Sequence, residues 1–295
     1  TTLPRHDRLV EALFDYDLVG FQTRDSLEAF QDYVVHEVGG AVGEGRRLEA
    51  FGRAAEFDAF PIGMDVAEFT AALEGETARG ELARMQASLA GRQMIIGVDR
   101  LDYSKGLEER FLAYEQFLTD NPDLHEKVFL LQIATPSRED VDAYQEIRGR
   151  LDGVSGRING AFATVDWVPI RYVNRAYRRD QLAGIYRAAK LGLVTPLRDG
   201  MNLVAKEYVA AQDPDDPGVL ILSRFAGAAE QMAEALIVNP FSREDVSDAI
   251  LKGLGMPLAD RRRRWERLMD GLTRTDVSAW RDAFVAALMR PGASR

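Results

Sequence analysis

Short apolar runs alternate with amphipathic stretches along most of the chain. The runs have the length of β-strands and lie at 18–22, 57–62, 93–98, 128–134, 164–170, 191–195, 218–223 and 235–239. In several runs the odd and the even positions are both apolar, which is typical of parallel strands covered on both faces. Apolar residues at helical spacing occur between the runs, for example at 107–118, 178–189 and 242–254. This repeated order of strand and helix predicts an α/β fold with an open parallel sheet.

One segment interrupts the alternation. Residues 65–91 have helical composition, are rich in small and charged residues, and contain no long apolar run. We therefore predict a helical connection over 65–91 between an N-terminal remnant, 1–64, and a second α/β domain, 92–295. Because the chain starts at Thr1 within a helical pattern and without a methionine, we expect it to be part of a longer protein.

Composition excludes several classes of function. The 295 residues contain no cysteine, which excludes disulfides, zinc–thiolate sites and cysteine nucleophiles, and only three histidines, which disfavours a His-rich metal site. The net charge of −10 argues against a nucleic-acid partner. The sequence has neither a signal peptide nor a transmembrane run, so we expect no membrane partner and a cytoplasmic location.

The first candidate site residues follow the strand predicted at 93–98. Ligands of open α/β sheets bind beyond the carboxyl ends of strands, and Arg100 and Lys105 are the cations in this position, with Gly106 allowing a tight turn. Two fixed cations suit a diphosphate, although an ordinary charged surface loop fits the composition equally well. Arg138 follows the strand at 128–134, near the predicted start of a helix. This position fits two interpretations, an anion-binding site or an ordinary helix cap with Arg138 exposed.

The most informative loop follows the strand predicted at 191–195. Asp199 and Gly200 predict a turn, and 201–212 predicts a helix whose first N–H groups would face a ligand. Glu207 follows Asp199 by eight positions, so that the two carboxylates can bind different hydroxyls of one sugar-containing ligand. In the alternative interpretation, Asp199 only stabilises the helix dipole and Glu207 is exposed to solvent. The two cations that follow another strand, Arg100 and Lys105, favour the ligand site.

Other patterns carry less weight. The Asp-x-Asp pair at 213 and 215 lies in a proline-rich turn and the pair at 140 and 142 lies within a helix, so we interpret both as surface features. No Gly-x-Gly-x-x-Gly follows a strand, and no P-loop is present. The basic run at 261–264 is interpreted as the solvated face of a helix.

Several blocks of sequence together resemble the trehalose-6-phosphate synthase family. They are DYDLVGFQT (15–23), RLDYSKGLEERFLAYE (100–115), AYQEIR (143–148), GRINGAF (156–162), GLVTPLRDGMNLVAKEYVAAQ (192–212), GVLILSRFAGAA (218–229) and ALIVNP (235–240). The resemblance implies the two-domain GT-B fold with Rossmann-like parallel sheets, a complete C-terminal domain that binds a nucleotide sugar, and a truncated N-terminal domain on the acceptor side. It also implies transfer of glucose from UDP-glucose to glucose 6-phosphate with retention of the α configuration, without a metal or other cofactor.

The resemblance also implies roles for individual residues near the donor. Arg100 and Lys105 would hold the donor diphosphate and act as the catalytic groups. Hydroxyls of the donor glucose would contact the turn formed by Asp199, Gly200, Met201 and Asn202. The nucleotide would be lined by Leu203, Val204, Ala205, Lys206 and Glu207.

Three further roles follow from the same resemblance. Glu207 would bind the ribose hydroxyls, and Tyr177 stands where the family has an aromatic residue near the uracil. Arg138 would reach the phosphate of the acceptor, glucose 6-phosphate. In this mechanism the departing UDP oxygen takes the acceptor proton on the same face, so that the work of the protein is electrostatic stabilisation and orientation.

The chain also departs from the family. Members carry a substantial stretch before the position of Thr1, with a glycine-rich loop and a histidine near the reacting sugar. We therefore expect this chain alone to bind UDP or UDP-glucose weakly and not to form trehalose 6-phosphate.

Two alternative functions stay open at the level of sequence. They are a related synthase with another acceptor, such as glycerol 3-phosphate, and a non-catalytic regulatory subunit that binds a nucleotide sugar. The base preference of the donor is open as well. The final helix, 275–289, is expected to return to the N-terminal domain, and its apolar face leaves a homo-oligomer open.

Overall fold

A computed structural model describes residues 3–136 and 142–290, without the side chains of residues 142 and 143. The strands are β1 (Leu18–Phe21), β2 (Ala41–Val42), β3 (Arg47–Ala50), β4 (Arg53–Ala59), β5 (Gln93–Arg100), β6 (Val128–Thr135), β7 (Ile170–Val173), β8 (Leu191–Val194), β9 (Val219–Ser223) and β10 (Leu236–Val238). The helices are α1 (His6–Leu13), α2 (Arg24–His36), α3 (Val66–Leu73), α4 (Glu76–Leu89), α5 (Leu107–Asp120), α6 (Asp142–Phe162), α7 (Arg179–Arg187), α8 (Leu203–Ala211), α9 (Arg243–Leu254), α10 (Leu258–Arg274) and α11 (Val277–Leu288).

The chain divides into two compact units. Unit 1 consists of Thr1–Gly63 and Thr275–Arg295, and unit 2 consists of Met64–Arg274. The segment 65–91, which we expected to connect two domains, forms α3 and α4, and these helices pack against α7 and α8 within unit 2. Among the described residues, no helix combines the length and the apolar character needed to cross a membrane.

Unit 1 contains a four-stranded sheet in the order β1-β4-β3-β2. β1 and β4 are parallel, whereas β3 is antiparallel to both of its neighbours. Its core includes Phe14, Val34 and Phe57. In the same unit, the indole nitrogen of Trp280 on α11 donates to the carbonyl oxygen of Phe60 at 3.1 Å, and the ring of Phe284 packs edge-on against the Phe60 ring.

Unit 2 contains a six-stranded sheet in the order β10-β9-β8-β5-β6-β7, and every pairing is parallel. The prediction of a parallel α/β sheet is therefore confirmed. From β5 the chain proceeds outward to β6 and β7, and from β8 it proceeds outward in the opposite direction to β9 and β10. The point between β5 and β8 is thus a topological switch point, where ligands of open α/β sheets bind beyond the carboxyl ends of the strands.

The central strands and helices of unit 2 form where the sequence predicts them. The apolar side chains of β5 and β6 are buried on both faces, as parallel strands between two helical layers require. The helical spacing of apolar residues over 107–118 corresponds to α5, and α9 packs against this helix. The buried residues of α5 include Phe111, Tyr114, Phe117 and Leu118. The sheet therefore has a well-packed core that fixes the positions of its strand ends.

One predicted strand of unit 2 is wrong. Most of the run at 164–170 is a loop, and the strand β7 begins only at Ile170. Only part of this apolar run is buried. Trp167 is buried in the loop and donates from its indole nitrogen to the carbonyl oxygen of Val128 at 2.7 Å, whereas Val165 and Val168 are exposed. Pro169, which has no N–H to contribute to a ladder, stands just before the strand.

The interpretation of the run at 261–264 as a solvated helix face is wrong for two of its arginines. Arg261 on α10 is buried, and its guanidinium donates to Asp216 and to the carbonyl oxygen of Pro217. Arg264 donates to the carbonyl oxygen of Glu234 at 2.7 Å. These arginines attach α10 to neighbouring loops, because a guanidinium can satisfy several carbonyl oxygens at once.

Candidate functional site

Two loops meet beyond the carboxyl ends of β5 and β8. Residues 101–106 follow β5 and residues 195–202 follow β8. The backbone N–H of Leu197 in the second loop donates to the carbonyl oxygen of Ser104 in the first at 2.8 Å. Gly106 has a φ of +62°, and a Cβ there would lie 2.9 Å from the carbonyl oxygen of Thr195, so that this close approach requires glycine.

The end of β5 and the first loop present the two predicted cations. The Asp102 carboxylate accepts hydrogen bonds from the backbone N–H and the hydroxyl of Ser104, both at 2.9 Å, which fixes the turn that follows β5. Burial opposes ionisation of Asp102, but these hydrogen bonds and the charges of Arg100 and Lys105 outweigh it and hold its pKa below the ordinary value. Arg100 itself is exposed at the end of β5.

The Lys105 ammonium and the Asp199 carboxylate form an ion pair between the two loops. Lys105 Nζ lies 2.6 Å from Asp199 Oδ2, and the two side chains are only 13% and 17% exposed. The amide nitrogen of Asn202 donates to the same Asp199 oxygen at 3.0 Å. The structure therefore brings together a predicted cation and a predicted carboxylate that are separated by 94 positions in the sequence.

The second loop continues into α8, which begins two residues later than predicted. Met201 and Asn202 precede the helix, and α8 starts at Leu203. Asn202 caps it, since its Oδ1 accepts from the backbone N–H of Ala205 at 3.0 Å. With a φ of +85°, Asn202 occupies backbone space that favours glycine, and the cap together with the hydrogen bond to Asp199 holds this strained conformation. Gly200 is exposed, and no neighbouring atom would meet a Cβ there.

Glu207 lies one turn further along α8 and is paired with an arginine that the sequence analysis missed. Arg179 Nε, at the first residue of α7, lies 3.3 Å from Glu207 Oε1. Burial raises the pKa of Glu207, and the charge and hydrogen bond of Arg179 oppose this rise. Tyr177 lies two residues before Arg179, and the Arg175 guanidinium lies over its ring at 4.5 Å.

Lys206 differs from its predicted position against the nucleotide. Its side chain is fully buried, and its Nζ donates to Gln231 Oε1 at 2.7 Å. It therefore lies within the packing of α8 and does not reach the surface on which Lys105 and Asp199 meet. Ala205 is buried beside it, whereas Leu203 is exposed and Val204 is half-buried at the start of the helix.

A buried polar cluster lies beneath the two loops, and the sequence analysis missed it as well. It consists of Asp99 on β5, Gln132 on β6, Thr195 just past β8 and Arg110 on α5, all buried. The guanidinium of Arg110 donates to the other three side chains. An arginine that follows two glutamates and precedes a phenylalanine on an amphipathic helix has no sequence signal that distinguishes it from a solvent-facing arginine.

A cavity opens at the same edge of the sheet. It has a volume of about 480 Å³ and is lined in part by Leu101, Tyr144, Arg148 and Asn174. None of Lys105, Asp199 or Glu207 lines it. The ion pair between the two loops, and not this cavity, therefore marks the predicted donor site.

Comparison with known proteins identifies the family. The model of glycosyltransferase family 20 matches residues 1–290. The chain belongs to glycosyltransferase family 20. Relatives in this family include a trehalose-6-phosphate synthase of Sinorhizobium fredii, 48% identical over 95% of this chain, and one of Klebsiella pneumoniae, 47% identical over 97%. The chain spans 60% of the length of each of these two relatives.

Solved structures of family 20 enzymes have the same fold as this chain. An α,α-trehalose-phosphate synthase of Burkholderia xenovorans in complex with glucose-6-phosphate matches 97% of this chain at 50% identity, with a TM-score of 0.93, and the match covers 63% of that enzyme. The E. coli protein bound with UDP-2-fluoro glucose matches 98% of this chain at 45% identity, with a TM-score of 0.95 and 64% coverage. The resemblance seen in the sequence and the expected GT-B fold are confirmed.

One predicted site residue of this family 20 chain lies outside the described part. Arg138, expected at the acceptor phosphate, falls between the described segments 3–136 and 142–290. Within those segments, no group of three or more His, Asp or Glu side chains is arranged to hold a metal ion.

Replacing Lys206 by methionine should stabilise this family 20 chain in a pH-dependent way. Burial lowers the pKa of Lys206 from 10.5 to about 8, so the folded state carries a desolvation cost below that pH. As the pH rises through about 8, the folded chain releases this proton before the unfolded chain does, and the cost is relieved. We expect Lys206→Met to raise the free energy of unfolding at neutral pH by up to about 3 kcal/mol, with a smaller gain at higher pH.

Urea unfolding of the two proteins at about pH 7 and about pH 9.5 measures this difference. Lys127→Met is the matched control, because Lys127 is exposed, and its effect should be the same at both pH values. A gain from Lys206→Met that does not shrink between the two pH values would rule out a buried ammonium at this position.

Proposed function

We propose that this family 20 chain carries the UDP-glucose site of an α,α-trehalose-phosphate synthase, which transfers glucose to glucose 6-phosphate with retention of configuration. The observation that carries the proposal is the pairing of Lys105 with Asp199 at 2.6 Å across the switch point between β5 and β8. This ion pair places a cation suited to bind phosphate beside a carboxylate suited to bind sugar hydroxyls. The relatives that are named or described as trehalose-phosphate synthases support the same reaction.

The two cations bind the diphosphate of the donor. Arg100, the last residue of β5, offers a planar fork of donors, and Lys105 in the loop that follows offers a compact charge. As the bond between glucose and UDP breaks, negative charge develops on the departing diphosphate. Fixed cations stabilise this charge without reorganisation at the moment of reaction, which lowers the barrier to transfer.

The loop before α8 and the first turns of this helix bind the rest of the donor. The Asp199 carboxylate and the backbone N–H groups near Gly200 and Met201 contact glucose hydroxyls. Glu207, kept in place by Arg179, accepts hydrogen bonds from the ribose hydroxyls, and Tyr177 lies near the uracil ring. The departing UDP oxygen takes the proton of the acceptor hydroxyl on the same face of the sugar.

Binding of the donor exchanges partners within the site. Lys105 leaves the Asp199 carboxylate for the diphosphate, and Asp199 becomes available to the glucose hydroxyls.

Arg138 binds the phosphate of glucose 6-phosphate. We infer a cytoplasmic location for this reaction, since both proposed substrates are phosphorylated metabolites.

Isothermal titration of the purified chain with UDP, UDP-glucose and uridine tests this proposal. We expect saturable binding of UDP and UDP-glucose, and uridine at least about tenfold weaker, because only the first two bring a diphosphate to Arg100 and Lys105. GDP-glucose and ADP-glucose in the same series report the base preference. No binding of UDP at millimolar concentration, or equal affinities for UDP and uridine, would contradict the proposal.

A further inference from the structure

Arg110 is a fully buried arginine directly beneath the two loops of the donor site. Its Nε donates to the hydroxyl of Thr195 at 2.9 Å, and its Nη1 donates to Gln132 Oε1 at 2.8 Å and to Asp99 Oδ2. Its Nη2 reaches the carbonyl oxygen of Lys105 at 3.5 Å. One guanidinium therefore connects β5, β6, the end of β8 and the loop that carries Lys105.

The strands leave room for this guanidinium. Gly97 on β5 faces it, and a Cβ at this position would lie 2.3 Å from Gln132 Oε1 and 2.6 Å from Arg110 Nη1. Contacts this short do not occur, so any larger residue would displace the cluster. The sequences of β5 and β6 thus accommodate a buried charge at the centre of the sheet, where apolar packing is the usual solution.

Stability does not account for this arrangement by itself. The desolvation of two buried charges can exceed the attraction between them, and apolar residues of similar volume often serve the fold as well or better. Burial raises the pKa of the Asp99 carboxyl, and the charge of Arg110 opposes this rise. A costly buried pair beneath ligand-binding loops points to a role in the site.

Three of the four residues that Arg110 contacts belong to the segments that carry donor-site residues. Asp99 immediately precedes Arg100, and the carbonyl that Arg110 contacts belongs to Lys105 itself. Thr195 begins the segment that leads to Asp199. Arg110 also neutralises Asp99, whose carboxylate attracts the Lys105 ammonium.

We propose that Arg110 is a positioning residue for donor recognition: it fixes the loop 101–106 and keeps the Lys105 ammonium directed to the ligand. This inference rests on the proposed function of Arg100 and Lys105 as the diphosphate-binding cations. It predicts a specific loss of affinity for the diphosphate when Arg110 is replaced, because the nucleoside is held elsewhere, by Glu207 and the start of α8.

The decisive variant removes both charges of the buried pair, as Arg110→Met with Asp99→Asn. This change avoids an unpaired buried carboxylate, so the fold should survive, and thermal unfolding checks that it does. Titration with UDP and with uridine then gives two affinities. We expect the affinity for UDP to fall at least about tenfold while that for uridine stays within about twofold of the unaltered chain.

Three further measurements complete the test. Arg110→Lys keeps the charge and should recover part of the preference for UDP over uridine. Hydrogen exchange of the backbone amides at 103–107 should be faster in the double variant, because the loop loses its anchor. Arg261→Met is the matched control, since Arg261 is another buried arginine of unit 2 that lies away from the site, and it should leave both affinities unchanged.

The results separate this inference from the proposed function. The positioning role is overturned if the ratio of the affinity for UDP to the affinity for uridine is unchanged in the double variant. It is also overturned if Arg261→Met changes this ratio by the same factor. If the unaltered chain itself does not prefer UDP, the proposed function fails. Hydrogen exchange at 103–107 then decides whether Arg110 fixes the loop, and unchanged exchange rejects this too. If the double variant does not fold, the single variant Arg110→Lys decides. Full preference for UDP over uridine in this variant supports the role of the buried charge, and loss of the preference overturns that role.

Discussion

Replacing Arg100 by alanine should weaken the binding of UDP by at least about tenfold and leave the thermal stability of the chain nearly unchanged. The loss follows from the removal of a charge-assisted hydrogen bond to the diphosphate, worth roughly 1.5–3 kcal/mol. Stability should be retained because Arg100 is exposed at the end of β5 and has no role in the core. In a chain that catalyses transfer, the barrier should rise by roughly 2.7–4 kcal/mol, as when one donor to a developing oxyanion is removed.

Calorimetric titration with UDP and a thermal unfolding curve check both halves of this prediction. Arg150→Ala is the matched control, because Arg150 is exposed on α6 and pairs with Glu146, at 2.9 Å. Its affinity for UDP should equal that of the unaltered chain. If Arg100→Ala binds UDP as tightly as the control does, Arg100 is not part of the diphosphate site.

Replacing Asp199 by alanine should separate the affinity for UDP-glucose from the affinity for UDP. The Asp199 carboxylate holds Lys105 at 2.6 Å, so its removal frees this cation for the diphosphate, and the affinity for UDP should be kept or rise slightly. UDP-glucose loses the acceptor for its glucose hydroxyls, and its affinity should fall at least about tenfold. One substitution should therefore lower the affinity for UDP-glucose without lowering the affinity for UDP.

Titration of Asp199→Ala with both ligands measures this separation. Asp215→Ala is the matched control, since Asp215 is an exposed carboxylate in the turn before β9 whose side chain pairs with Arg262 at 3.5 Å, and it should change neither affinity. An equal loss of affinity for UDP and UDP-glucose in Asp199→Ala would mean that Asp199 shapes the loop without contacting the sugar.

The parallel sheet of unit 2 could be predicted because its strands are continuous apolar runs. β5, β6, β8 and β9 are buried on both faces, and this burial is visible in the sequence as unbroken apolar character. β2 and β3 were missed since they are short and their outer residues are exposed. The run at 164–170 misled because its apolar residues, of which Trp167 is buried and Val165 and Val168 are exposed, give the same apolar signal in a loop as in a strand.

The site was predictable to the extent that its residues follow strand ends. Arg100, Lys105 and Asp199 lie where the sequence analysis expects them, but their proximity depends on β5 pairing with β8, and no local pattern specifies that pairing. Arg110 and Arg179 were missed because a buried or paired arginine on a helix has the same sequence signature as a solvent-facing one. Lys206 stands beside Glu207 in sequence, yet the helix turns its side chain into the protein.

A crystal structure of the chain with UDP-glucose bound tests the central claim most directly. We expect the diphosphate oxygens to lie within hydrogen-bond distance of the Arg100 guanidinium and of Lys105 Nζ, with Lys105 no longer paired to Asp199. We expect the glucose hydroxyls at Asp199 and the ribose at Glu207. A UDP-glucose molecule bound away from the loops that follow β5 and β8, or with its diphosphate out of reach of both cations, would contradict the proposed donor site.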